Sequence, residues 1–120
     1  MGGIRTYRDL LVWQKAVELV TLIYKRTRSF PEDEKYGLVS QIRRATISIP
    51  SNIAEGYGRM HTNEYVRYLQ ISIGSIFELQ TQLIISKNLG YISEQAYTEL
   101  DDKTKEIERM LSSLISKIKK

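Results

Sequence analysis

Apolar positions along this chain recur three and four residues apart almost throughout, the period of amphipathic helices rather than of strands. Over residues 9–28 the stripe is Leu10, Trp13, Ala16, Val17, Val20, Ile23 and Tyr24. Asp9 stands where a helix takes a cap or a first-turn acid, and Lys25, Arg26 and Arg28 stand where the helix dipole favours cations. A second helix is predicted over about 32–58, opened by Pro31 and the acids Glu32, Asp33 and Glu34. It carries two stripes, one of Val39, Ile42, Thr46, Ile49, Ile53 and Tyr57, and a flanking one of Leu38, Ala45, Ile47 and Ala54. Pro50 falls inside it. Proline lacks the N–H and crowds the carbonyl four residues back, which predicts a kink over residues 46–50, with a split into two helices as the alternative.

The third helix is predicted over about 63–88, with Thr62 or Asn63 as cap, Glu64 in the first turn, and an inner face of Tyr65, Leu69, Ser72, Ile76, Leu79 and Leu83. Gly74, between Ser72 and Ser75, gives up about 1 kcal/mol of helix propensity relative to alanine, which a close helix–helix contact would explain. Asn88-Leu89-Gly90 ends this helix. Ser93 caps a fourth, over about 93–118, whose Leu100, Thr104, Ile107, Leu111, Leu114 and Ile118 keep heptad spacing. On its outer side Glu99–Lys103 and Asp101–Lys105 are spaced for i,i+4 pairs. Short connections make neighbours in sequence neighbours in space. The expected fold is therefore all-α, an up-down-up-down antiparallel four-helix bundle with a proline-kinked second helix, in one domain over 1–120.

Composition narrows the function classes. A chain of 120 residues can bury an adequate core unaided. It has no cysteine and one histidine, His61, so disulfides, thiolate chemistry and a histidine-based metal site within one chain are not expected. No apolar run is long enough to span a membrane, and the N-terminus is interrupted by Arg5, Arg8 and Asp9, so a cytoplasmic location without a membrane is expected. His61 lies in a polar turn, where a solvated role is the simpler reading. No Glu-x-x-His pair, phosphate loop or serine elbow is present. The expectation is a protein without enzyme activity, cofactor or metal.

The most unusual stretch is 48–58, where Asn52 and Glu55 stand three apart beside Pro50. They read either as a ligand contact or, more simply, as side chains satisfying backbone groups released by the proline. The net charge of +4 permits an acidic partner without requiring one. Basic side chains gather in residues 5–28 and acidic ones in 93–109, so opposite faces can attract within the fold or between subunits. Arg43, Arg44, Arg59 and Arg67 form a middle set, and Lys117, Lys119 and Lys120 a tail. These are the candidate nucleic-acid contacts; with Tyr57, Tyr65 and Tyr68 close by in sequence, arginine and aromatics together suit RNA or single strands. A solvated face is the simpler reading of each basic run.

Several blocks of the sequence resemble the 23S rRNA intervening-sequence proteins, small bacterial four-helix-bundle proteins. They are Asp9-Leu10-Leu11-Val12-Trp13-Gln14-Lys15-Ala16; Tyr36-Gly37-Leu38 with Ser40-Gln41-Ile42-Arg43-Arg44-Ala45; and, most specific, Ser48-Ile49-Pro50-Ser51-Asn52-Ile53-Ala54-Glu55-Gly56. Glu64-Tyr65, Ser72-Ile73-Gly74-Ser75 and Glu78-Leu79-Gln80-Thr81-Gln82-Leu83 continue it, so that it covers about residues 7–118. The resemblance implies a ring-like homopentamer with no agreed catalytic residues. A related branch, the accessory variability determinant of diversity-generating retroelements, is a basic pentamer that binds nucleic acid and a reverse transcriptase. Arg43 and Arg44 match positions of the family.

The apolar surplus fits self-association. Leu11, Val12 and Trp13 follow Leu10 without a polar break, and Leu38 and Ile47 lie on the extra stripe of the second helix. One interior needs one stripe per helix, so these five are the expected oligomer interface. The function expected is a non-enzymatic homo-oligomer, pentameric by resemblance, binding RNA or another nucleic acid. The alternative is an adaptor or scaffold for a protein partner.

Overall fold

The computed structural model describes residues 3–119. Four long α-helices carry the chain: α1 (Leu11–Thr27), α2 (Leu38–Tyr57), α3 (Thr62–Asn88) and α4 (Glu94–Lys119), with no strand among the described residues. Together they form a body of 45 × 24 × 21 Å. Each helix packs on the next, and α4 returns against α1. Two ion pairs join that last pair of helices, Lys15 to Glu106 and Arg26 to Glu99.

The helix starts differ from the sequence expectation, and side-chain hydrogen bonds explain why. Residues 7–9 form a separate 3-10 turn, because the Asp9 carboxylate accepts from the N–H groups of Arg5 (2.9 Å) and Thr6 (3.1 Å) and closes a capping box with Thr6. Leu10 is then extended, and α1 begins at Leu11. The second helix starts at Leu38 rather than near residue 32. The acids that were expected in its first turn form a 3-10 turn, Glu32–Glu34, and Glu34 reaches forward to accept from the Leu38 N–H at 3.1 Å. A carboxylate placed there serves as the cap that Gly37 cannot provide. At the start of α3 the N-cap is the extended His61, with no side-chain cap, rather than Thr62 or Asn63. Gly90 (φ 77°) ends α3 with the Gly90 N–H on the Lys87 carbonyl and the Tyr91 N–H on that of Ser86, a left-handed cap that glycine adopts without strain. Ser93 caps α4 by accepting from the Ala96 N–H.

The core is built by Ala16, Leu19 and Ile23 of α1, Ile42, Ile49 and Ile53 of α2, Leu69, Ile76, Leu79 and Leu83 of α3, and Leu100, Ile107 and Leu111 of α4. The first expected stripe of α2 is buried from Val39 to Ile53, that of α3 from Leu69 to Leu83 and that of α4 from Leu100 to Leu111, whereas the flanking stripe of α2 leaves Ile47 exposed. The expected stripe of α1 is rotated: Val12 and Leu19 face inward, while Val17 is exposed.

α2 continues as one helix through Pro50, whose ring is buried. Where α2 meets α3, small residues permit a close approach. Ser72 donates to the Ile49 carbonyl at 3.0 Å and Ser48 shares a 2.8 Å hydrogen bond with Ser75. Gly56 lies so close to α3 that an added Cβ would fall 2.6 Å from the Tyr68 Cβ. The tight contact expected at Gly74 is not made within this chain, since nothing lies within 4 Å of a Cβ added there.

Candidate functional site

The four arginines read together in the sequence separate into two clusters and one isolated side chain. Arg43 leaves α2 and crosses onto the end of α1. Its Nε donates to the Thr27 hydroxyl at 3.0 Å, one of its terminal nitrogens donates to the Tyr24 carbonyl, and its guanidinium lies 4.3 Å from the Tyr24 ring centroid. Part of its hydrogen-bonding capacity is thus taken up inside the fold, where a cation also suits the C-terminal end of α1. Arg44, one residue on, is exposed and has no ion-pair partner among the described residues.

Arg59 is bound at the other end of α2. It pairs with Glu55 at 3.3 Å, donates to the Tyr68 hydroxyl at 2.7 Å and lies 4.8 Å from that ring's centroid. Glu55 therefore holds Arg59, and Asn52 donates to the carbonyl and hydroxyl of Ser48. The carbonyl that Pro50 leaves without its usual donor belongs to Thr46; Asn52 satisfies the Ser48 carbonyl instead, and Glu55 binds Arg59 rather than a backbone group. Arg67 is exposed on α3, and Lys117 borders an apolar groove with Leu10, Leu11, Met110 and Leu114. Lys119 is exposed at the end of α4, and Lys120 lies outside the described residues.

The tyrosines near the middle arginines do not offer open rings. Tyr57 and Tyr65 pack edge to face with centroids 6.0 Å apart, and burial pushes the Tyr65 hydroxyl above its ordinary pKa. The most exposed aromatic among the described residues is Tyr36, at 88 % exposure, with the Lys35 ammonium 5.5 Å from its ring centroid. Tyr36 and Lys35 join Tyr24, Arg43, Arg44 and Ile47 around a groove of about 490 Å³ between α1 and α2, with no acidic side chain in its lining. A second groove of about 240 Å³ shares Lys35, Val39 and Arg43 with the first and adds Arg28 and Glu32. Sequence reasoning chose Arg43 and Arg44 but missed Lys35 and Tyr36. The available signal was two adjacent residues, one cationic and one aromatic, in the linker directly before α2.

The five apolar positions assigned to an oligomer interface fare differently. Val12 is buried in the chain's own core, and Trp13 and Leu38 pack against that core, Trp13 also meeting Tyr7 edge to face. Leu11 (56 % exposed) and Ile47 (42 %) remain open. A larger open set was not legible as such: Ile71, Phe77, Ile84 and Ile85, all on the side of α3 turned away from the core. At about 100° per residue these four and Gly74 fall within an arc of about 140°, opposite the core-facing residues.

The opposite charges of the first and last helices meet inside the fold, through the Lys15–Glu106 and Arg26–Glu99 pairs. Glu99 thus binds Arg26 rather than Lys103, while Asp101–Lys105 forms the i,i+4 pair at 3.0 Å. Among the described residues no three His, Cys, Asp or Glu side chains gather as metal ligands, and no helix is long and apolar enough to cross a membrane.

Fold and surface define a small all-α protein of four helices with a basic, tyrosine-lined groove. A family model for the 23S rRNA-intervening sequence protein matches residues 8–113, and the chain belongs to that family. Among solved structures it is similar to a protein of unknown function from the S23 ribosomal protein family of Bacteroides thetaiotaomicron VPI-5482. The TM-score is 0.79 at 25 % identity, over 88 % of this chain and 98 % of that one. No curated protein matches it.

Proposed function

We propose that this protein is a non-enzymatic helical bundle that assembles from several copies of itself, five being the expected number, and binds RNA through its basic surface. The observation that carries the assembly is the outer face of α3. Ile71, Phe77, Ile84 and Ile85 are each about half exposed, and Gly74 in their midst leaves room for a second backbone. A helix apolar on both sides is normally covered on both, and burying the remaining surface of these four side chains is worth about 1 kcal/mol each.

The up-down arrangement belongs to the same reading. It is supported by contacts that descend in one helix as they rise in its neighbour: Lys15 with Glu106 and then Arg26 with Glu99, Ser48 with Ser75 and then Gly56 with Tyr68. A bend at Pro50 follows from the Thr46 carbonyl it leaves without a donor. The absence of catalysis is supported by the perturbed groups. Asp9, Tyr65, Tyr91 and Lys105 owe their shifts to a cap, burial or a hydrogen bond, and none of them lines the grooves described above.

Light scattering coupled to size exclusion tests the assembly. The wild type should elute as a defined multiple of the 14.0 kDa chain, and Phe77→Asp with Ile84→Asp should reduce it to the monomer without loss of helicity. A monomeric wild type at micromolar concentration refutes the assembly. For RNA, affinity should fall steeply with salt and should weaken in Arg44→Glu. No binding of a structured RNA at low salt refutes that half. Recovery of a specific protein without RNA would favour the adaptor reading, for which the apolar groove of Leu10, Leu11, Met110 and Leu114 is the available surface.

A further inference from the structure

We infer that the groove between α1 and α2 is a binding site for unpaired nucleotides, with Tyr36 as the stacking platform. This rests on the RNA reading above and specifies its mode. Three observations meet there. Tyr36 is 88 % exposed although it stands against the α1–α2 groove, so its ring face contributes little to the fold. The cations around it are of two kinds. Arg43 is fixed by Thr27 and Tyr24, while Arg44 is exposed and Lys35 lies close to the Tyr36 ring. The groove, at about 490 Å³, is in the ~300–1,000 Å³ range that takes small organic ligands, and no carboxylate in its lining would repel a phosphate. The second groove continues past Lys35 to Arg28 but also carries the Glu32 carboxylate, so the phosphate contacts are assigned to the first groove.

This combination selects unpaired over paired nucleic acid. In a duplex the base faces are stacked on one another and closed to a protein ring, so duplex recognition works through phosphates and 2′-hydroxyls across a broad surface. A single open ring flanked by cations gains from a base only when that base is unstacked, and the gain is tolerant of base identity because every base has a π-face. Here Tyr36 would take the base, Arg44 and Lys35 the adjacent phosphates, and Arg43 would hold the floor of the groove.

Fluorescence anisotropy with three labelled probes tests this: a twelve-nucleotide uridine oligomer, a twelve-base-pair RNA duplex, and a glutamate-rich peptide. Each is titrated with the wild type, Tyr36→Phe and Tyr36→Ala. Because Tyr36 is so exposed, the substitutions leave the packing intact, which circular dichroism checks. The single strand should bind more tightly than the duplex. Tyr36→Ala should weaken single-strand binding by about 5- to 150-fold, the range for losing one base–aromatic stack, and Tyr36→Phe should restore it. Equal affinity for duplex and single strand, or Tyr36→Ala without effect, would overturn this site while leaving the RNA reading standing. No RNA binding at low salt would overturn both, as would binding of the acidic peptide alone.

Discussion

Replacing Gly56 with alanine sets two opposing effects against each other at one position of α2. The new Cβ would lie 2.6 Å from the Cβ of Tyr68, and 3.2 Å from both the ring edge and the carbonyl oxygen of Tyr65. Carbon atoms in good contact sit about 3.5–4.0 Å apart, so α2 and α3 would have to separate locally by about 1 Å. Rotamer changes cannot relieve this, because the Tyr68 Cβ is fixed to its backbone and the Tyr65 oxygen is backbone itself. Separation would also stretch the Ser72–Ile49 and Ser48–Ser75 hydrogen bonds, which depend on the same close approach. Overpacking of this kind destabilises by about 1–3 kcal/mol, and anchored contacts belong at the upper end. Alanine recovers about 1 kcal/mol of helix propensity. The net expectation is a loss of about 1–2 kcal/mol, or about 3–10 °C in Tm for a domain of this size. Urea unfolding followed by circular dichroism, repeated at two protein concentrations to separate assembly from folding, measures it. A Gly56→Ala protein as stable as the wild type would refute the close α2–α3 approach.

Gly74 gives the opposite sign. With no atom within 4 Å of an added Cβ, Gly74→Ala in the Phe77→Asp, Ile84→Asp background should gain about 0.5–1 kcal/mol in the same urea assay. Gln82 has a buried Oε1 without a hydrogen-bond partner, so Gln82→Leu should raise the urea midpoint by the equivalent of about 1 kcal/mol; a fall would mean that the oxygen is satisfied in the assembled protein. At acid pH the Asp9 cap should open. Its carboxyl is held below the ordinary 3.8 by the Arg5 and Thr6 N–H groups, so the cap is fully effective above that value and is lost as pH falls through the lowered pKa. Fluorescence of Trp13, the chain's one tryptophan, which packs against Tyr7, should report the opening; Asp9→Asn should remove that pH step.

The sequence was most legible where one periodicity had one cause. Heptad spacing in α4 identified Leu100, Thr104, Ile107 and Leu111, all of them buried, and the α2 stripe from Val39 to Ile53 is buried as well. α1 misled because its apolar residues surround it: Leu10 to Trp13 offer every direction, and only packing against α2 and α4 decides that Val12 and Leu19 turn inward. Boundaries failed where a side chain competed with the helix for a backbone group. Asp9 holds Arg5 and Thr6 in a separate turn, and Glu34 delays α2 by capping Leu38. Spacing patterns do not encode such bonds.

Basic surface was harder to read than core, because a cation's availability depends on what its neighbours already take. Arg43 and Arg44 are adjacent and alike in sequence, yet one is drawn into the Tyr24 carbonyl and ring while the other is open. Arg59 looks equivalent but is engaged by Glu55 and Tyr68. An exposed charge without a partner retains its hydration until a ligand displaces it, whereas a guanidinium already held by an acceptor must break that contact first. The proposed RNA contact therefore rests less on the number of arginines than on side chains left without an internal role, among them Arg44, Lys35 and Tyr36. Their position around one groove is a stronger constraint on a ligand than the net charge of the chain.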